Sequence, residues 1–352
     1  MPLADLLGQD LVRERLSLIV RSDRLPPALL FVGPPGVGKA SAALLLVEAL
    51  NCPEKVNGDA CGHCPSCLQI RRQRYPDLLL VEPEKRQIKI DQIREIQEFI
   101  SFVPMVGARR IVIIKDAHLL NQTAANALLK TLEEPAATVS FILLSHCHNL
   151  LPATVLSRCL VLPFVALSGA IIMQILARQR GAGEVAEVPL EEAAAWSGGS
   201  MERARFFLEV ENLRWGKALV ERFASLPGRS LLQALDLAEE VSVSESLEVV
   251  FFVLHNFLHD SLLFAQGLQP VPELNIAGAG PAAAAVCAVA GWSDQAGSFA
   301  ALGIAQLLAI RQQILDIERG QAVNINLKLA FEALFSGVAT GCWGSRVSCQ
   351  NM

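Results

Sequence analysis

Three groups of residues have the types and spacing to do chemistry. The first is Gly33-Pro34-Pro35-Gly36-Val37-Gly38-Lys39-Ala40. Glycines at 33, 36 and 38 let backbone N–H groups face an anion. A following helix adds the partial positive charge of its N-terminus, and Lys39 reaches the outer phosphates. The spacing predicts a cradle for ATP or ADP. Ala40 stands where a Ser or Thr hydroxyl would bind Mg²⁺. Ser41 is turned about 100° around the helix and cannot replace it. The loop is therefore expected to hold phosphate and to hold magnesium poorly.

The second group is Cys52, Cys61, Cys64 and Cys67, spaced C-x8-C-x2-C-x2-C. Thiolates two residues apart at a turn can share a tetrahedral Zn²⁺, and four sulfurs leave no position open for water. A structural zinc module over 52–67 is expected. An iron–sulfur cluster and unligated thiols are the alternatives. Gly62 and Pro65 turn the chain between ligands, and His63 is a spectator. Cys147, Cys159, Cys287, Cys342 and Cys349 are scattered and read as free thiols.

The third group is Ile111-Val112-Ile113-Ile114-Lys115-Asp116-Ala117-His118, an apolar strand ending in an acid. Asp116 can support a divalent cation. A carboxylate after it would polarise the attacking water, but Ala117 is there and His118 lies one residue too far along. Two groups that assist phosphoryl transfer are absent, so hydrolysis by this chain is expected to be very weak or absent.

These residues need a scaffold. Ala28–Val32, Asp77–Glu82, Arg110–Lys115, Val139–Leu144 and Leu160–Leu162 are short apolar runs that read as buried strands. Residues 38–50, a segment capped by Asp91 and carrying Ile93, Ile96 and Ile100, and residues 124–134 read as helices. Strands alternating with helices predict an α/β fold with a parallel sheet covered on both faces. After about residue 166 the pattern is helical, broken at Gly198-Gly199 and at Pro227-Gly228. The expected division is 1–165 for the α/β core, 166–210 for a small helical domain, 211–339 for a larger one, and 340–352 for a frayed tail.

Composition sets limits. With 352 residues, 52% of them hydrophobic, the chain can bury more than one core. A net charge of −5 argues against a protein that grips DNA alone. Residues 276–292 are apolar but rich in Ala and Gly, with Pro281, and read as a buried helix and loop rather than a membrane span. The first residues carry no basic-then-apolar pattern, which points to the cytoplasm. Arg71-Arg72 with Arg74 form a small basic cluster, and Arg109-Arg110 reads as a solvated pair. Glu133 and Glu134 end a helix and should have a partner there. His255 and His259, four apart on a helix, read as packing.

The order of these motifs resembles the bacterial clamp-loader family of AAA+ proteins: a phosphate loop, a four-cysteine insertion, then an acid-ended strand. The run from Ala124 to Pro135 (AANALLKTLEEP) is similar to that family nearly residue for residue, as is Ser157-Arg158-Cys159. Leu7-Gly8-Gln9 and the stretch 324–330 resemble it too. Tyr75-Pro76-Asp77-Leu78, residues 88–94 and Asp116-Ala117 resemble its non-motor branch, since the gamma/tau motor carries Asp-Glu. In the stretch 199–204, Glu202 falls where the motor has a sensing arginine, and Arg203 is one place off. Ser145 occupies the first-sensor position.

The resemblance implies an AAA+ core, a helical lid and a helical collar within a hetero-oligomeric ring. The implied partners are gamma/tau and delta subunits, the sliding clamp and primed DNA, within the DNA polymerase III assembly, with no membrane. It also implies that Arg158 projects into a neighbour's ATP site, where a guanidinium supplied in trans offsets charge on the transferred phosphoryl group. An active gamma/tau-type ATPase and a zinc-dependent nucleic-acid-binding module are the competing readings.

Overall fold

The computed structural model describes residues 2–22, 24–84, 87–133, 136, 138–179, 187–244, 246–268, 292–321 and 325–341. Expectations for Glu134, Pro135, residues 276–291, Cys287, Asn324 and 342–352 fall outside them. The chain divides into two compact units. One comprises residues up to 178 with 199–202; the other comprises 179–198 and the described residues from 203 onward.

The first unit runs α1 (Asp10–Ser22), β1 (Ala28–Val32), α2 (Lys39–Asn51), α3 (Pro65–Arg71), β2 (Leu78–Val81), α4 (Ile90–Ser101), β3 (Arg110–Ile114), α5 (Gln122–Glu133), β4 (Val139–Ser145), α6 (Ala153–Leu156), β5 (Leu160–Pro163) and α7 (Gly169–Gln179). The five strands form one sheet in the order β2-β3-β4-β1-β5, and every pairing is parallel. The expected α/β class and all five strands are observed.

The alternation of side chains explains why these strands read as unbroken apolar runs. Leu29, Phe31, Ile111, Ile113, Ile142 and Leu144 enter a core shared with α1, α2 and α3. Ala28, Leu30, Val112, Ile114, Phe141 and Leu143 point the other way, into a core with α4, α5 and α6. Both faces are buried, so the strands are predominantly apolar along their length. One expected detail changes. The cap of α4 is Lys89, whose N–H is accepted by Gln92 Oε1 at 3.1 Å. Asp91 lies inside the first turn, paired with Arg94, where the positive end of the helix favours a carboxylate.

The second unit is helical: α8 (Leu190–Trp196), α9 (Met201–Phe206), α10 (Val210–Ala224), α11 (Leu231–Ser242), α12 (Leu247–Ala265), α13 (Ser293–Phe299), α14 (Ile304–Gly320) and α15 (Leu327–Thr340). The expected breaks are present, with Gly198, Gly199 and Gly228 at positive φ. Its core is aromatic: Phe223 packs on Phe257, Phe299 and Phe335, and Trp196 on Trp292 and Phe207. Among the described residues α12 alone is a single helix long and apolar enough to cross a membrane. Val250, Phe251, Leu254 and Phe257 place much of it in this core. His255 Nε2 meets Glu318 Oε2 at 3.1 Å, a polar contact between α12 and α14.

Candidate functional site

The glycine-rich loop joins β1 to α2, at the carboxyl end of the sheet where α/β proteins place ligands. Gly36 and Gly38 have φ of +72° and +95°, a region that L side chains rarely adopt. A Cβ on Gly33 would lie 2.3 Å from the Phe164 carbonyl oxygen, so β5 packs the loop from one side. The Met201 N–H donates to the Gly36 carbonyl at 2.8 Å and ties the 199–202 segment to the loop. Lys39 Nζ donates to the Gly33 and Pro34 carbonyls, each at 2.6 Å. Burial lowers Lys39 to about 8, opposed by the nearby carboxylates of Asp116 and Glu202. Glu202 thus faces the lysine from the position where the resemblance would put a sensing arginine. Arg203 is committed elsewhere: its guanidinium lies 3.8 Å from the centre of the Phe252 ring, and its Nε donates to the Ser197 carbonyl.

The loop's shape and charge fit phosphate. They do not fit magnesium. Ala40 offers a methyl group, and Ser145 donates its hydroxyl to the Cys147 carbonyl at 2.8 Å. Asp116, at φ +47° after β3, is paired with His146 Nε2 at 2.8 Å. That hydrogen bond holds the Asp116 carboxyl below its ordinary range. His118 Nδ1 lies 3.5 Å from Ser145 Oγ. Burial pushes His118 down to about 4, so the ring is neutral at pH 7. No local pattern in the sequence singles out His146. It stands thirty residues from Asp116 and comes near only because β3 and β4 are neighbours.

The four cysteines come together. One sulfur from each of Cys52, Cys61, Cys64 and Cys67 lies within 4.8 Å of the others. Cys52 Sγ and Cys64 Sγ are 3.9 Å apart. That matches the edge of about 3.8 Å expected of sulfurs arranged tetrahedrally around zinc. Backbone N–H groups of Cys61, Cys64 and Cys67 donate to the sulfurs of Cys52, Cys61 and Cys64 at 3.3, 3.3 and 3.5 Å, as thiolate acceptors require. The geometry is compatible with a zinc site. His63 leans on Glu54 at 3.7 Å, outside the four sulfurs.

Two basic residues behave differently from their expected roles. Arg71 forms a two-pronged ion pair with Glu48, 2.9 Å on each arm, and Glu48 is buried. It is therefore withdrawn from the basic cluster, leaving Arg72 and Arg74 exposed. Glu48 is buried while Arg71 reaches the surface, so removing the arginine leaves the buried carboxyl without its cation. The variant Arg71→Ala is expected to lose about 2–3 kcal/mol of stability in chemical denaturation, whereas Arg72→Ala is expected to lose less than about 0.5 kcal/mol. Arg110 is not solvated either. It is 5% exposed, sits 4.6 Å from the Phe99 ring centre and pairs with Asp77 at 3.7 Å. Asp77, fully buried, accepts the N–H groups of Met105, Val106 and Gly107 at 2.7 Å each, fixing that loop.

Arg158, after α6, is partly exposed. It pairs with Glu133 at the end of α5 and donates to the Thr154 carbonyl at 2.8 Å and Ser157 Oγ at 3.0 Å. Glu133 thus has the partner its position called for.

The sequence profile of the family described as DNA polymerase III, delta subunit matches residues 8–168. That stretch is similar to clamp-loader-type DNA polymerase III subunits. Relatives of two kinds are similar to about half of this chain. A DNA polymerase III subunit tau/gamma from Haemophilus influenzae is 38% identical over 49% of this chain and 25% of its own length. A DNA polymerase III subunit delta' from Pseudomonas aeruginosa is 37% identical over 49% of this chain and 53% of its own. The chain thus spans from a quarter to about half the length of these curated relatives. A gamma subunit-related protein from Thermotoga maritima, of known structure, aligns with 93% of this chain and 98% of its own at 20% identity and a TM-score of 0.45.

Proposed function

We propose that this chain is a delta-prime-type clamp-loader subunit: it supports loading of a sliding clamp in DNA replication and hydrolyses no ATP itself. The observation that carries this reading is the pairing of a disabled phosphate site with an available arginine. Ala40 and Ala117 remove the magnesium hydroxyl and the water-polarising carboxylate. Arg158 meanwhile stands partly exposed on the same unit. Its role is to complete the ATP site of a neighbouring gamma/tau subunit. Gly33, Gly36, Gly38, Lys39 and Asp116 form a degenerate nucleotide site that retains ADP or ATP without turnover. The four cysteines hold structural Zn²⁺. Gamma/tau and delta subunits, the clamp and primed DNA are its partners in the cytoplasm. The division into core (1–165), lid (166–210) and collar (211–339) belongs to the same reading.

The test is clamp transfer onto primed DNA by gamma/tau and delta partners with and without this chain. Loading that needs the chain supports the reading; loading at the same rate without it rejects the reading.

The nucleotide site has its own pH dependence. Lys39 must be a cation to hold phosphate, and its depressed value means that the charge is present below about 8 and lost above. Affinity for ADP is therefore expected to fall about tenfold between pH 7 and 9. The variant Lys39→Ala is expected to bind weakly at both pH values. Calorimetric titration at the two pH values checks this.

A further inference from the structure

Asp116, His118 and His146 gather at the carboxyl ends of β3 and β4, which are adjacent parallel strands. One donor atom from each lies within 4.8 Å of the other two. Asp116 and His146 are already in contact, and the two imidazoles meet edge to face with centres 4.9 Å apart. Donors around a first-row cation at 2.0–2.2 Å stand about 3–3.5 Å apart, so modest side-chain rotations close the set. His146 and Asp116 are 37% and 38% exposed, which leaves room for water on the open side.

Magnesium demands oxygen ligands, and the hydroxyl that would supply one beside Asp116 is missing at Ala40. Two imidazoles with one carboxylate suit a different class of ion, the borderline divalent metals such as zinc, cobalt and nickel. We propose that Asp116, His118 and His146 form a second metal site, separate from the four cysteines, which takes a divalent transition cation where magnesium is not accommodated. A neutral imidazole keeps one N–H and offers its other ring nitrogen as a ligand. His118 Nδ1 makes only a 3.5 Å approach to Ser145 Oγ, whose own proton goes to Cys147. The opposing group is Lys39, whose charge reaches both Asp116 and His118. Its ammonium is held by the Gly33 and Pro34 carbonyls.

The experiment is a cobalt(II) titration of the full chain followed by visible absorption. Cobalt in the four-cysteine site gives intense sulfur-to-metal charge transfer; cobalt on nitrogen and oxygen gives weak ligand-field bands alone. The four-cysteine site is first filled with one equivalent of Zn²⁺, which has no visible bands, so that cobalt added afterwards reports the nitrogen–oxygen site. The native chain is expected to take one equivalent with ligand-field bands and no added charge transfer. His118→Ala and His146→Ala should each weaken that equivalent at least tenfold, while His148→Ala, which removes an imidazole outside the trio, leaves it unchanged. His118→Asn and His146→Gln serve where an alanine variant melts early. Absence of the nitrogen–oxygen equivalent in the native chain, or its persistence when both histidines are replaced, overturns the proposal.

Discussion

Replacing Arg158 by alanine is expected to lower the ATP turnover of a loader rebuilt with gamma/tau and delta partners by about a thousandfold, the effect of removing an arginine that stabilises a phosphoryl-transfer transition state. A thousandfold is about 4 kcal/mol. The contact that holds Arg158 in the isolated chain is far weaker. Its pair with Glu133 is partly exposed, and such pairs contribute about 0–1 kcal/mol. The arginine can therefore leave Glu133 for a neighbour's phosphate at small cost. Glu133→Gln should change turnover by no more than about fivefold, because it removes a resting contact. Arg158→Lys should restore little, since an ammonium keeps the charge but loses the planar fork. Steady-state turnover with clamp and primed DNA reads all three. Full activity in Arg158→Ala would remove the in-trans role.

The second large effect concerns the zinc proposed for the four cysteines. Cys52, Cys64 and Cys67 are buried in the same core as β1 and α2, with Ile70 and Tyr75 beside them. Releasing an ion from such a site leaves four thiols packed against one another with no centre to hold them. Structural zinc contributes folding free energy directly. Chelation, or Cys64→Ser, is expected to destabilise the first unit by about 4 kcal/mol and lower its thermal midpoint by about 10 °C. Scanning calorimetry before and after chelator checks this. An unchanged midpoint would mean that the four sulfurs hold no structural ion.

The parts of this site that were legible in the sequence are local ones. The glycine loop, the cysteine spacing and the Asp116-Ala117 step each lie within a short stretch, so they could be found directly. The strands were legible because each is buried on both sides and shows as an unbroken apolar run. The features that stayed hidden depend on which strands and helices are neighbours. His146 meets Asp116 through the pairing of β3 with β4. Arg71 reaches Glu48 through the packing of α3 on α2. Arg110 reads as solvated in the sequence because its partners, Asp77 and the Phe99 ring, come from different segments. The same limit applies to the helical unit. Its helices were visible as a class, but their apolar faces are too similar for the sequence to say which pack together.

The proposed role requires a chain that binds nucleotide and does not turn it over. The most direct measurement is magnesium-dependent ATP hydrolysis by the purified chain alone, followed in parallel with ADP binding. Binding without hydrolysis above the rate of buffer is the expected result. Hydrolysis by the chain alone that disappears in Lys39→Ala would contradict the proposed role and would make this chain a motor in its own right.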